Sequence, residues 1–167
     1  MTKIGLISDT HGFLDDAVFE HFKHCDELWH AGDIGSVEII EKLQKFKPTK
    51  FVFGNIDSKE IMWQVPEHQH FMIEGLTIWI THIGGYPPYY NPAIKKAFKA
   101  QIPDIFVCGH SHVLRAMRDN KHNNLIYLNP GAAGKEGFHQ MKTLLRFTLD
   151  EKKMANLEII ELGLRGK

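Results

Sequence analysis

The chain has 167 residues, a length that suits one domain with a single core. Lys plus Arg and Asp plus Glu number 20 each, so no overall field draws the protein to nucleic acid or to an anionic membrane. Two cysteines, Cys25 and Cys108, exclude a disulfide framework and a CxxC site, and no signal-type or membrane-length apolar run occurs; the expectation is a soluble, cytoplasmic domain over residues 1–167, with no membrane partner and no strong nucleic-acid signal.

Ile4 to Ile7 reads as a short apolar strand. A helical pattern follows from Leu14 to Phe22, with Asp15 and Asp16 in its first turn, where acidic groups suit the helix dipole. The unit repeats as a strand from Glu27 to His30 and a helix from the N-cap Ser36 to Phe46, then as a strand from Lys50 to Phe53 and a short helix near Lys59 to Trp63. Three such units predict a partly parallel sheet. His68 to Ile73 and Leu76 to Thr81 form a hairpin turning at Glu74-Gly75, and a helix from about Asn91 to Ala100 starts with Pro92 and stops before Pro103. The remaining runs, Ile105 to Cys108, Val113 to Arg118, Leu125 to Leu128, Thr143 to Leu149 and Leu157 to Leu162, are strands separated by turn clusters. These late strands have no helices between them to cover a face. The pattern therefore predicts two sheets packed together with helices outside.

Composition leaves eleven histidines unexplained, and their positions are informative. Five apolar runs end in metal-ligand residue types: Ile4 to Ile7 in Ser8-Asp9-Thr10-His11, Leu28 to His30 in Ala31-Gly32-Asp33, Phe51 to Phe53 in Gly54-Asn55, Ile78 to Ile80 in Thr81-His82, and Ile105 to Cys108 in Gly109-His110-Ser111-His112. Ligands gather beyond the carboxyl ends of parallel strands, so these endings converge on one rim if the strands run parallel. Glycine before the ligand at 32, 54 and 109 lets the chain turn sharply and approach a bound group closely. Asp9, His11, Asp33, Asn55, His82, His110 and His112 are too many ligands for one ion. With Asp33 bridging they make two sites, whose nitrogen and oxygen donors suit Mn first, with Fe, Ni, Co or Zn as alternatives.

Asp9-x-His11, Gly32-Asp33, Gly54-Asn55, His82 and Gly109-His110-x-His112, in that order, resemble the calcineurin-like metallophosphoesterase superfamily. The match spans residues 4 to 131 and is most similar to its small single-domain bacterial and archaeal phosphodiesterases, including Gly54-Asn55-x-Asp57 and Asn129-Pro130-Gly131. The resemblance implies an α/β (α+β) fold, a four-layer αββα sandwich of two mixed sheets flanked by helices. It also implies a first metal on Asp9, His11, Asp33 and His112 and a second on Asp33, Asn55, His82 and His110. Ile56 stands where many members carry a catalytic His, Ile83 where Gly usually follows the ligand His, and Ala132 where Ser or Thr often follows Asn-Pro-Gly.

The expected chemistry is hydrolysis of a small or nucleotide-like phosphodiester by a metal-bridging hydroxide. Two divalent ions, two carboxylates and that hydroxide leave a net charge of about +1, which an anionic diester neutralises. Asp33 is expected to bridge, Asn55 and His82 to touch substrate, and Asp57 or His30, or simply water, to protonate the leaving group. A phosphomonoesterase and a non-catalytic interaction scaffold of the same fold are the alternatives, and a homo-oligomer is left open. The bland readings assign His68 and His70 to an exposed strand, His21 and His24 to a solvated helix face, and His122 and His139 to loops without a role. Gly84 to Tyr90 is either a lid with stacking tyrosines or a packed loop. Gly131-Ala132-Ala133-Gly134 is a close-approach turn or a phosphate cradle.

Overall fold

The computed structural model describes residues 1–167. In chain order the elements are β1 (Thr2–Ile7), α1 (Ala17–Phe22), β2 (Glu27–His30), α2 (Val37–Phe46), β3 (Thr49–Phe51), α3 (Lys59–Gln64), β4 (His68–Ile73), β5 (Leu76–Thr81), β6 (Gly85–Tyr86), β7 (Tyr89–Tyr90), α4 (Pro92–Ala100), β8 (Ile105–Val107), β9 (Arg115–Asp119), β10 (Leu125–Asn129), β11 (Met141–Asp150) and β12 (Lys153–Leu164). One five-stranded sheet has the order β12-β11-β1-β2-β3, the other β4-β5-β8-β10-β9. Within the first, β1, β2 and β3 are parallel; within the second, β5, β8 and β10 are. β11 joins β1 antiparallel, and β4 and β9 join β5 and β10 antiparallel, so both sheets are mixed.

Side chains alternate across a strand, and that alternation sorts the apolar runs into layers. Ile4 and Leu6 of β1, Ile78 and Ile80 of β5, Ile105 and Val107 of β8, and Leu145 and Phe147 of β11 meet between the sheets. Their neighbours turn outward. Ile7, Leu28 and Leu144 pack under α1 and α2 with Val18, Phe22, Ile39, Ile40 and Leu43. Trp79, Phe106 and Tyr127 pack under α4 with Ile94 and Phe98. The result is a four-layer αββα sandwich with three apolar clusters where a single core was expected. The central strands β5, β8 and β10 and the end of β1 are buried on both faces because a second sheet covers one and helices the other.

Local details differ from the sequence reading. The first helix starts at Ala17, not Leu14, because the Asp15 carboxylate accepts the Ala17 N–H at 2.9 Å and the Lys142 ammonium at 2.8 Å. Asp15 therefore ties β11 to the loop after β1 and does not sit in a helical turn. The stretch from Gly84 to Tyr90, which the sequence predicts to be a lid or a packed loop, contains the small hairpin β6–β7. Tyr90 within it is buried and donates to Asp119 at 2.8 Å, while Tyr127 donates to the Gly85 carbonyl at 2.6 Å. These bonds favour the packed-loop reading over a lid. On β4, His68, His70 and Met72 are exposed on one face, as the sequence predicts, and His70 stacks on Trp79 with ring centroids 4.9 Å apart. No helix is long and apolar enough to cross a membrane.

Candidate metal centre

The parallel strands of both sheets deliver their carboxyl-end loops to one rim of the sandwich. The loops after β1 and β2 are tied together: Asp9 N–H donates to Gly32 O at 2.9 Å, His11 N–H to Asp33 O at 3.0 Å and Gly12 N–H to Ile34 O at 2.9 Å. Asp9, His11, Asp33, His110 and His112 all have left-handed backbone, with φ of 53°, 47°, 53°, 70° and 60°. Non-glycine residues held there cost about 1–3 kcal/mol each, and such strain concentrates at functional sites. Gly32 and Gly54 allow the close packing: a Cβ on Gly32 would strike the His82 ring, and one on Gly54 the Asp33 carboxylate.

Each carboxylate is fixed by one oxygen and presents the other. Asp9 Oδ2 accepts Ser8 Oγ–H at 2.6 Å and His110 N–H at 3.1 Å. Its Oδ1 faces His112 Nε2 at 3.1 Å, His11 Nε2 at 3.7 Å and His82 Nε2 at 3.8 Å. Asp33 Oδ1 accepts Ile56 N–H at 3.1 Å, whereas Oδ2 stands 3.3 Å from His11 Nε2 and 3.1 Å from His82 Nε2. His82 Nδ1–H donates to Ala31 O at 2.7 Å, which leaves Nε2 to face inward.

Two donor groups emerge, Asp9 with His11 and His112, and Asp33 with His82 and His110, the atoms of each within 4.8 Å of one another. Asn55 adds an amide oxygen 3.0 Å from His110 Nδ1. Asp9 Oδ1, His11 Nε2 and His82 Nε2 are buried and make no hydrogen bond. Buried polar atoms are nearly always paired, and a cation bonding several of these donors at once would pair them. The electrostatics agree. Burial pushes the Asp9 carboxyl up, but His11 and His112 hold it well below the usual carboxylate range. Asp33 behaves likewise, with His11 and His82 outweighing its burial. Asp33 and Asp9 raise the His11 imidazole to about 10. Two buried carboxylates thus draw positive charge into this spot, and the residues present fit a pair of divalent ions.

Two sequence expectations meet different surroundings. His30 is fully buried, its imidazole pushed down to about 3 by burial. The Gly32 N–H donates to its Nδ1 at 3.1 Å, so Nε2 carries the proton and bonds Thr10 Oγ at 3.0 Å, and that hydroxyl donates to Ile34 O at 2.8 Å. Both ring nitrogens are engaged, which removes His30 as a proton donor at the rim. Asp57 accepts the backbone N–H of Gly35 on one oxygen and those of Ile34 and Gly54 on the other, at 2.8, 3.1 and 2.8 Å. Its geometry is that of a clasp between the loops carrying Asp33 and Asn55, not of a donor aimed at substrate. The N–H groups of Ala133 and Gly134 are taken by Ser8 O and Asp9 O at 2.9 and 3.0 Å, so that segment is a close-approach turn and no phosphate cradle.

The loop from Gly134 to His139 also borders the centre, which no spacing in the sequence signals. Glu136 stands 3.7 Å from His11 Nδ1, and His139 Nδ1 3.2 Å from His112 Nδ1. A groove of about 440 Å³ opens beside the second donor group, lined among others by Phe53, Asn55, Thr81, His82 and Ile83. Lys and Arg are absent from its lining.

The calcineurin-like phosphoesterase superfamily domain matches residues 2–152. A probable metallophosphoesterase of Methanothermobacter thermautotrophicus is 29% identical over 136 residues, covering 77% of this chain and 76% of the relative. Among solved structures, an archaeal phosphodiesterase superposes with a TM-score of 0.77 at 20% identity, over 96% of this chain and 99% of the other. Vps29 of Chaetomium thermophilum superposes with a TM-score of 0.76 at 14% identity, over 97% of each chain. At these identities the two structures share the fold with this chain, and the family rests on the sequence match.

Proposed function

The chain belongs to the calcineurin-like phosphoesterase superfamily, and from that premise we propose that it is a phosphodiesterase working with two divalent ions on small or nucleotide-like diesters. The observation that carries this reading is the position of Asp33 Oδ2, within 3.3 Å of a histidine from each donor group. Asp9, His11, Asp33 and His112 would hold one ion, and Asp33, Asn55, His82 and His110 the other. Manganese suits this donor set, with Fe, Ni, Co or Zn as substitutes. Bound there, the ions supply Lewis acidity toward the phosphoryl oxygens and acidify water enough for attack near neutral pH.

The chain's own residues do the rest. Asn55 and His110 are the exposed members of the set and face the incoming phosphate. Asn55 can present its amide N–H₂ to a phosphate oxygen while its carbonyl oxygen faces the ion. Asp57 holds the Asn55 loop against the Asp33 loop through its three backbone bonds and acts as a positioning residue. With His30 sealed in and Asp57 engaged, solvent at the open rim protonates the leaving oxygen, a route that favours leaving groups of low basicity. A groove without Lys or Arg offers no partner for a second negative charge, which supports a diester over a monoester dianion. We read residues 1–167 as one domain. A reducing, cytoplasmic setting fits the two buried free thiols, Cys25 and Cys108.

The experiment is to strip the protein with chelator, add Mn²⁺ and compare bis-p-nitrophenyl phosphate with p-nitrophenyl phosphate. The diester should be cleaved faster, and Asp33→Ala should abolish turnover. Faster monoester cleavage would reassign the enzyme as a phosphomonoesterase. No turnover with Mn, Fe, Ni, Co or Zn would favour an interaction scaffold.

A further inference from the structure

We infer that His139 is a positioning residue that fixes which nitrogen of His112 is free to bind metal. The inference rests on the reading of His112 as a ligand. The Gly134 carbonyl can only accept a hydrogen bond, and it lies 2.8 Å from His139 Nε2. His139 therefore carries its proton on Nε2, and in the neutral ring Nδ1 is left with a lone pair. That lone pair faces His112 Nδ1 at 3.2 Å. His112 must then donate from Nδ1, and in the neutral ring that binds a metal the lone pair is left on Nε2, which stands 3.1 Å from Asp9 Oδ1. The result is the tautomer a metal ligand needs, with the other ring N–H held by a partner.

The relay is anchored at both ends. Gly134 N–H donates to Asp9 O at 3.0 Å, so the carbonyl that orients His139 belongs to a residue fastened to the Asp9 turn. Gly137 (φ 127°) lies so close to the His112 ring that a Cβ there would collide with Nδ1, and the same Cβ would sit 3.2 Å from His139 Nδ1. The two rings stand edge to face, centroids 5.1 Å apart. His139 itself is too far along the chain of bonds to serve as a ligand, because both of its nitrogens are occupied.

The test uses the full chain and Zn²⁺, which is diamagnetic. Two-bond ¹⁵N–¹H spectra of the Zn-loaded protein should show His139 protonated on Nε2 and His112 on Nδ1; a His112 proton on Nε2, or an unprotonated His139 Nε2, would overturn the inference. Calorimetry should resolve two Zn²⁺ sites, and His139→Leu should weaken one of them about 10- to 100-fold and leave the other unchanged. His139→Asn, whose amide oxygen can accept from His112, should recover most of that loss. Equal Zn²⁺ affinity in the parent and a folded His139→Leu variant would overturn the role of His139 and leave the metal centre standing. No Zn²⁺ binding by the parent protein would overturn both.

Discussion

Oδ2 of Asp33 lies 3.1 Å from Nε2 of His82, although the strands that precede them, β2 and β5, belong to different sheets. The donor cluster therefore spans the seam of the sandwich, with Asp9, His11, Asp33 and Asn55 contributed from one sheet and His82, His110 and His112 from the other. A bound ion would pin the two sheets at this rim. Thermal unfolding in chelator against unfolding with Mn²⁺ should show a higher Tm with metal, since a ligand present at 100 times its Kd stabilises by about 2.7 kcal/mol. An unchanged Tm would mean that the seam takes up no ion.

Asp57 separates two mechanisms. As a clasp it holds three backbone N–H groups, and loss of a hydrogen bond to a charged group costs roughly 1.5–3 kcal/mol. Asp57→Ala should therefore lower stability by a few kcal/mol, on the order of those bonds, and slow bis-p-nitrophenyl phosphate and an alkyl diester by similar factors. A proton donor would instead spare the nitrophenyl ester. Rates for both esters, measured on protein whose folding has been checked by denaturant melts, decide between them.

His30 makes stability depend on pH. Its folded-state value is about 3, whereas an unfolded histidine takes up a proton near pH 6.5. Between those values the unfolded chain binds the extra proton, so stability is full above pH 6.5 and falls as pH drops toward 3, by up to about 1.4 kcal/mol per unit from this group. His30→Gln should flatten that acid limb relative to the parent. Urea midpoints at pH 7.5 and pH 5 measure it; equal slopes for the two proteins would show that His30 is not buried neutral.

Lys142 is 1% exposed at its side chain and bonds Asp15 at 2.8 Å and the Lys167 carbonyl at 3.0 Å. Removing one partner of such a pair leaves a charge uncompensated, which costs about 3–5 kcal/mol when the pair is fully buried. Asp15 keeps some exposure, so Asp15→Ala should fall at or below the low end, near 3 kcal/mol. Asp15→Ala with Lys142→Met should recover part of it. Chemical denaturation of the single and double variants tests the coupling, and strict additivity would contradict it.

Much of this was legible in the sequence because strand periodicity and strand-end chemistry are local. Ile78-Trp79-Ile80 reads as a strand, and its alternation places Trp79 under α4 and its neighbours between the sheets. The candidate ligand residues stood out because they cluster after apolar runs and several follow glycine. The roles of Asp57 and His139 were not legible, since each depends on which backbone or ring atom comes opposite in three dimensions. His30 misled for the same reason: its nearness to Asp33 in sequence says nothing about Thr10 and Gly32 closing over both its nitrogens. The late start of α1 likewise depends on Lys142, a residue far along the chain that captures Asp15.

We propose that this rim holds a pair of ions shared by Asp33. Anomalous diffraction from crystals soaked in Mn²⁺ tests it most directly. Two peaks about 3.5–4 Å apart, one among Asp9, His11 and His112 and one among Asn55, His82 and His110, with Asp33 between them, are expected. A single peak, or manganese bound elsewhere with these side chains unchanged, would contradict it.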